Sequence, residues 1–238
     1  MSAYAVRFQQ VVKSYARNAV LRDVDLDIRA GESFALVGVN GAGKTSLLKC
    51  LFDFCALDAG SIAIFGHGHR QPAARAPLSF LPESFLPPYY LNGGDFLRYV
   101  LKLQGVSYDA ARVAAMLAAL DLEQAALTRA VRSYSKGMTQ KLGLAACLLS
   151  GKPMLVLDEP MSGLDPKARA LLKERLRLAR AAGGTLLFTS HALADVEELS
   201  DRLAILHEGR IRFVGTPREC RDAYAAASLE QAFLQCIA

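Results

Sequence analysis

Ser33-Phe34-Ala35-Leu36-Val37-Gly38-Val39-Asn40-Gly41-Ala42-Gly43-Lys44-Thr45 is a short apolar run that breaks into a glycine-rich loop and ends on a lysine and a hydroxyl. An apolar run of this length reads as a parallel strand buried on both faces. Ser46 to Phe54, behind the loop, reads as a helix. In a strand, loop and helix of this kind, the loop N–H groups and the positive helix end hold the α and β phosphates of a nucleoside triphosphate. Lys44 reaches the β and γ phosphates, and the Thr45 hydroxyl ligates Mg²⁺. The expected nucleotide contacts are Gly38, Asn40, Gly41, Gly43, Lys44, Thr45 and Ser46, with Lys44 also counted as catalytic.

Upstream, Val6 and Phe8 alternate with polar neighbours, and Val24, Leu26 and Ile28 alternate with Asp23, Asp25 and Asp27. That period of two predicts half-buried antiparallel strands. From Ser33 onward, apolar strands alternate with helices, as in a βαβ sheet. Ser61 to Phe65 reads as a strand, and the turn after it places His67 and His69 in a solvated loop rather than a metal site. Met154 to Leu157 and Thr185 to Phe188 are two more buried-strand runs. Asp165 as N-cap, Pro166 in the first helical position and Gly183-Gly184 at the end predict a helix over 166–182. Its buried stripe is Ala168, Leu171, Leu172, Leu176 and Ala179.

Leu203 to Leu206 and Ile211 to Val214 form a hairpin through Glu208-Gly209. One tail helix starts at Thr216-Pro217 and another at a Ser228…Gln231 capping box. Helices over 95–103, 108–120 and 139–149 make an insert. The predicted class is α/β, with a parallel sheet core, an N-terminal antiparallel β subdomain and an inserted α-helical subdomain. Residues 1–238 read as one domain: an αβ core over 1–84 and 150–215, the helical subdomain over 85–149 and a helical tail over 216–238.

At 238 residues the chain has room for one large domain or two small ones. Hydrophobic residues make up 52% and mean hydropathy is +0.20, which leaves apolar surface for partners. The net charge of +5 fits an anionic membrane surface, nucleic acid or an ordinary arginine-rich exterior. The sequence has no apolar run of membrane-spanning length, and Met1 to Phe8 lacks a signal-peptide pattern, so a soluble or peripheral protein is expected. Cys50, Cys55, Cys147, Cys220 and Cys236 show no C-x-x-C spacing; a scattered set of this kind predicts reduced thiols in a cytosolic protein.

Met154-Leu155-Val156-Leu157-Asp158-Glu159 is an apolar strand ending in two carboxylates. At a strand's C-terminal edge Asp158 suits the Mg²⁺ shell, and Glu159 can polarise a water for attack on the γ phosphate. His191, just past another strand, can contact the γ phosphate or order that water. Ser135-Lys136-Gly137-Met138 opens a helix whose positive end suits an anion. Its place in the helical insert points to a phosphate bound by a second copy, two copies closing two shared sites.

In this order, the loop at 38–45, the 135–138 motif, Asp158-Glu159, Ser162-Gly163-Leu164-Asp165 and His191 resemble the ATP-binding-cassette (ABC) ATPases, from Tyr15 to about Pro217. The resemblance implies ATP and Mg²⁺ as cofactors. It implies that Tyr15 stacks on adenine, a contact worth ~1–3 kcal/mol by analogy with base stacking. It also implies that Ser135 and Gly137 act in trans and that Asp165 joins them at the dimer seam. Glu83, in Phe80-Leu81-Pro82-Glu83, stands where the family's usual glutamine does and can see Mg²⁺. The signature departs too: Tyr134-Ser135-Lys136-Gly137-Met138 replaces the usual Leu-Ser-Gly-Gly-Gln.

Both departures resemble the branch that powers exporter-type permeases lacking a fused ATPase. The implied partners are an integral membrane permease and a second copy, or a paralogous ATPase, with no nucleic acid. The implied location is the cytoplasmic face of the inner (plasma) membrane, as a peripheral subunit. Phe85, Leu86, Tyr89 and Tyr90 lie in a proline-rich stretch that reads either as a docking surface for the permease or as the lobe's own core. The alternative function is a soluble ABC ATPase acting mechanically on ribosomes or nucleic acid. One cassette, with no long insertion between Glu83 and Ser135, argues against it. A small P-loop kinase would leave the 135–138 motif and His191 unexplained.

Overall fold

The computed structural model describes residues 3–238, so Met1 and Ser2 of the N-terminal reading lie outside the described residues. Contacts divide the chain into two units. One runs to Pro77 and resumes as Gly184–Ala238; the other is Leu78–Gly183.

The first unit opens with β1 (Tyr4–Tyr15) and β2 (Asn18–Arg29), which pair antiparallel. Val6 and Phe8 on β1 and Val24, Leu26 and Ile28 on β2 are buried, while Asp23 and Asp25 are exposed. The alternation in the sequence is thus a real two-faced sheet. β3 (Ser33–Val37) is buried at every residue. α1 (Lys44–Leu51) corrects the helix expected over 46–54: Gly43 caps it at φ +111, and Asp53 at φ +59 turns the chain off it. β4 (Ala59–Ile64) pairs with β1, and β5 (His67–Gly68) folds back on β4, giving the order β2-β1-β4-β5. That tight return corrects the solvated loop at His69 alone, since His67 is exposed as expected. His69 is buried, with Nδ1 at 3.1 Å from the Ile62 carbonyl, and burial lowers its pKa. The short α2 (Pro72–Arg75) follows.

The second unit holds β6 (Leu78–Leu81), α3 (Gly93–Leu103), α4 (Ala110–Ala119), α5 (Lys136–Leu149), β7 (Met154–Leu157) and α6 (Pro166–Ala181). All of 85–149 falls inside this unit, together with β6, β7 and α6. Side-chain caps explain where the helices start. Asn92 accepts from the Asp95 N–H, so α3 begins before Asp95. Asp109 accepts from Ala111 and Arg112, so α4 begins after Tyr108. Ser135 accepts from Met138, so α5 opens at the 135–138 motif, as that motif reads, and extends the helix expected from Thr139 toward its N-terminus. On α6, capped by Asp165, the buried stripe narrows to Ala168, Leu172 and Leu176. β6 and β7 run parallel, with Leu81 opposite Leu157.

The chain returns to the first unit with β8 (Thr185–Ser190), α7 (Leu193–Leu199), β9 (Arg202–His207), β10 (Arg210–Gly215), α8 (Pro217–Ala223) and α9 (Leu229–Ile237). β3 lies between β8 and β9, parallel to both, and β10 closes the hairpin, giving the order β10-β9-β3-β8. β8, like β3, is buried throughout, and both carry an apolar centre, Leu186-Leu187-Phe188 and Phe34-Ala35-Leu36-Val37, beside small hydroxyl residues at their ends. The capping box lies at Thr216, where Glu219 and Thr216 satisfy each other's N–H groups at 2.7 and 3.0 Å. At Ser228 only half of it forms: Ser228 accepts from Gln231 N, but the Gln231 side chain accepts from Ala227.

Candidate functional site

In the first unit Val37 lies opposite Ser190, so the 38–45 loop and His191 leave the same edge of the parallel strands. His191 is exposed, in a turn where the Ala192 N–H donates to Ser190 Oγ at 3.0 Å. Lys44 is buried, and its ammonium donates to the Gly38 and Val39 carbonyls at 2.7 and 3.3 Å, inside the ring of its own loop. Asn40 and Gly41 are exposed, and Thr45 and Ser46 are half-buried at the start of α1.

At Gly38 and Gly43 the loop is held against its neighbours so closely that a side chain has no room, whereas Gly41 faces open space. A Cβ on Gly38 would lie 2.4 Å from the Leu206 carbonyl oxygen, and one on Gly43 would lie 2.9 Å from that of Val20. Gly38→Ala is therefore expected to destabilise the unit by about 1–3 kcal/mol, the usual cost of overpacking, and to weaken ATP binding. A thermal melt and a nucleotide titration read both; parent-like values in each would refute the close fit.

Tyr15 ends β1 with its ring 44% exposed. Its hydroxyl lies 3.5 Å from Cys55 Sγ, which in turn lies 3.5 Å from Cys50 Sγ. Two cysteines that are scattered in sequence therefore meet. The hydrogen bond to Cys55 raises the Tyr15 pKa, and burial pushes the Cys50 thiol up to about 12. Both groups stay protonated at neutral pH, so the tyrosine itself carries no charge, and the Lys13 ammonium lies over its ring at 5.4 Å from the centroid.

In the second unit the Asp158 N–H donates to the Leu81 carbonyl at 2.8 Å, extending the parallel ladder by one residue. This brings Asp158-Glu159 and Pro82-Glu83 out at one strand edge. Asp158 is 1% exposed, Glu159 is 7% exposed, and Glu83 is exposed. Glu159 has φ +50, the left-handed region that a side chain other than glycine's seldom adopts.

Ser135 and Gly137 stand in the first turn of α5. The Ser135 hydroxyl accepts from Met138, and the N–H groups of the first two helical residues, Lys136 and Gly137, have no intrahelical acceptor in any α-helix. Asp165 caps α6 by accepting from the Ala168 N–H at 2.9 Å, which holds its carboxyl below the usual carboxylate range.

A family model described as ABC transporter matches residues 21–162. The chain belongs to the ABC transporter family. Among its relatives is a Nod factor export ATP-binding protein I of Burkholderia orbicola, 38% identical over 91% of this chain and 72% of that protein. Another is the lantibiotic transport ATP-binding protein SrtF of Streptococcus pyogenes, 33% identical over 87% and 88%. A solved ATP-binding subunit of an ABC transporter superposes with a TM-score of 0.89 at 29% identity, covering 98% of this chain and 99% of that one. A dimeric ATP-binding cassette bound to ADP and Pi shares the fold, with a TM-score of 0.81 at 19% identity over 89% and 98%.

This ABC ATPase binds and hydrolyses ATP as an energy-coupling subunit of a transporter. These relatives are named for transport, so the ribosome or nucleic-acid alternative is set aside. Among the described residues no helix is long and apolar enough to cross a membrane.

Three contact residues were missed in the sequence. Lys136, Gln140 and Lys141 on α5 all reach acceptors inside the second unit. The available signal was polarity out of place. Gln140 and Lys141 close the polar first half of α5, just before the apolar stretch from Leu142, and are buried all the same.

Proposed function

We propose that this subunit drives export through a separate integral membrane permease at the cytoplasmic face of the inner membrane. Two copies, or one copy and a paralogue, close on ATP and reopen after hydrolysis. The observation that carries this reading is the 38% identity to a Nod factor export ATP-binding protein across 91% of the chain.

In this reading Gly38, Asn40, Gly41, Gly43 and Ser46 supply backbone and side-chain donors to the phosphates, and Tyr15 stacks on adenine. Lys44 leaves its own loop carbonyls for the β and γ phosphates. Ser135, Gly137 and Asp165 act on the nucleotide held by the partner copy. The hydroxyl of Thr45 and the carboxylates of Asp158 and Glu83 are hard oxygen donors, the set that Mg²⁺ takes. Mg²⁺ neutralises charge on the β and γ phosphates when it is bound with the nucleotide. Glu159 accepts a proton from the attacking water, and His191 orients that water or contacts the γ phosphate.

The 83–91 stretch carries the proposed docking surface, and its residues fall into two groups. Phe85 is half-buried, its ring 5.6 Å from that of Phe96 and close beneath Gly143, so it belongs to the lobe's core. Leu86, Tyr89 and Tyr90 are 89%, 69% and 73% exposed, the two tyrosine rings packed edge to face. They form an aromatic patch of the kind that receives a short helix. Tyr89→Ser with Tyr90→Ser is expected to leave the melt and the ATPase rate of the isolated subunit unchanged. Co-purification with the permease and permease-stimulated turnover should fall about tenfold, the effect of losing one interface hot spot. Undiminished stimulation would remove the docking assignment.

A further inference from the structure

The first turns of α5 lie against the loop that follows β7. Lys136 Nζ donates to Ser162 Oγ at 3.2 Å. Gln140, buried on the next turn, donates from Nε2 to the Pro160 carbonyl at 3.1 Å. Between these two contacts the backbones nearly touch: a Cβ on Gly137 would lie 3.1 Å from the Gly163 carbonyl oxygen. The lysine stem covers the joint. A Cβ on Gly163, at φ +73, would meet Lys136 Cγ, Cδ and Cε at 3.0–3.1 Å. On α5's other contacts, Lys141 donates to the Asp121 carbonyl at 2.8 Å, and Lys167 of α6 reaches the Asp121 carboxylate at 2.6 Å.

A lysine in the first helical position is electrostatically misplaced, because the N-terminal end of the helix is already positive. Its ammonium gains by leaning away from the axis toward an acceptor, and its methylenes gain by packing on the space that Gly163 leaves open for want of a side chain. The Ser162 hydroxyl and the face of Gly163 offer both.

We propose that Lys136 is a positioning residue that clips the 135–138 turn to the 160–163 loop of its own chain. The clip fixes how Ser135 and Gly137 are presented to the partner's nucleotide relative to the Asp158-Glu159 strand end. This inference rests on the trans geometry proposed above. The competing role for Lys136 is a direct contact with that partner's phosphate.

Lys136→Met keeps the stem and removes the donor, while Ser162→Ala removes the acceptor. Each should lower kcat about fivefold, the loss that follows removal of one hydrogen bond of ordinary worth, with KM for ATP and the thermal melt little changed. The double variant should be no slower than either single variant, because both break one contact. Lys136→Arg should recover most of the loss. A slow Lys136→Met beside a parent-like Ser162→Ala would put the ammonium on phosphate and overturn the clip. Effects that multiply in the double variant, or no effect in either single one, overturn it equally. Nucleotide occlusion by Ser135→Arg and Lys44→Ala heterodimers tests the trans reading by itself. Empty heterodimers remove that reading, whereas one occluded ATP with independent Lys136 and Ser162 effects removes the clip alone.

Discussion

Glu159→Gln is expected to bind ATP and hydrolyse it about 10²–10⁴-fold more slowly, the usual cost of losing a positioned general base. The amide matches the carboxylate in shape, so the buried pocket and the strained backbone at φ +50 are preserved. What it lacks is a basic oxygen for the proton of the attacking water. Asp158, pinned by its N–H to the end of β6, is untouched, so nucleotide affinity should survive. With hydrolysis stalled, the ATP-bound dimer should accumulate. Phosphate release and size-exclusion chromatography with ATP measure the two effects. Parent-like turnover would remove Glu159 from the role of base.

Heterodimers of Ser135→Arg and Lys44→Ala chains should occlude one ATP, while either variant alone occludes none. The first chain keeps its phosphate loop and loses its helix-end donor, whose space an arginine fills. The second keeps that helix end and loses the ammonium that now bonds to the Gly38 carbonyl at 2.7 Å. If each site joins the loop of one chain to the α5 end of the other, the mixture contains one intact site. If each chain served only itself, no intact site would exist. Loss of one oriented donor or cation at such a site costs about 10²–10³-fold in rate, so the contrast between mixture and parents should be large. Nucleotide retained after rapid desalting of tagged heterodimers decides the matter; empty heterodimers would contradict the shared site.

The phosphate loop was legible because its chemistry is written in backbone. Only glycine tolerates a carbonyl 2.4 Å from where its Cβ would stand, so Gly38 had to appear in the sequence. The fully buried strands β3, β7 and β8 were legible for a related reason: burial on both faces gives each a run of at least three consecutive apolar residues, with only small hydroxyl residues beside it. Helix starts were less legible. Asn92 and Asp109 each draw the following residues into a helix through one side-chain acceptor, a local bond that periodicity does not register, whereas the cap at Ser135 was legible from its motif. The contact between Cys50 and Cys55 and the joint between Lys136 and Ser162 depend on how loops fold back after a helix or strand ends. Spacing of residue types carries little information about such returns. Phe85 and Tyr89 show the same limit from the other side. Both are aromatics in one proline-rich stretch, yet only one packs inward.

The backbone at Glu159 has a consequence for engineering. A left-handed residue with a side chain sits roughly 1–2 kcal/mol above glycine in the same conformation. A library of this subunit sorted only for survival on heating would therefore favour Glu159→Gly, and with Glu159 as the base proposed above those members would be the slow ones. Under that proposal robustness and turnover are opposed at Glu159. Any campaign to harden the subunit needs a phosphate-release screen in every round, or needs position 159 frozen from the start.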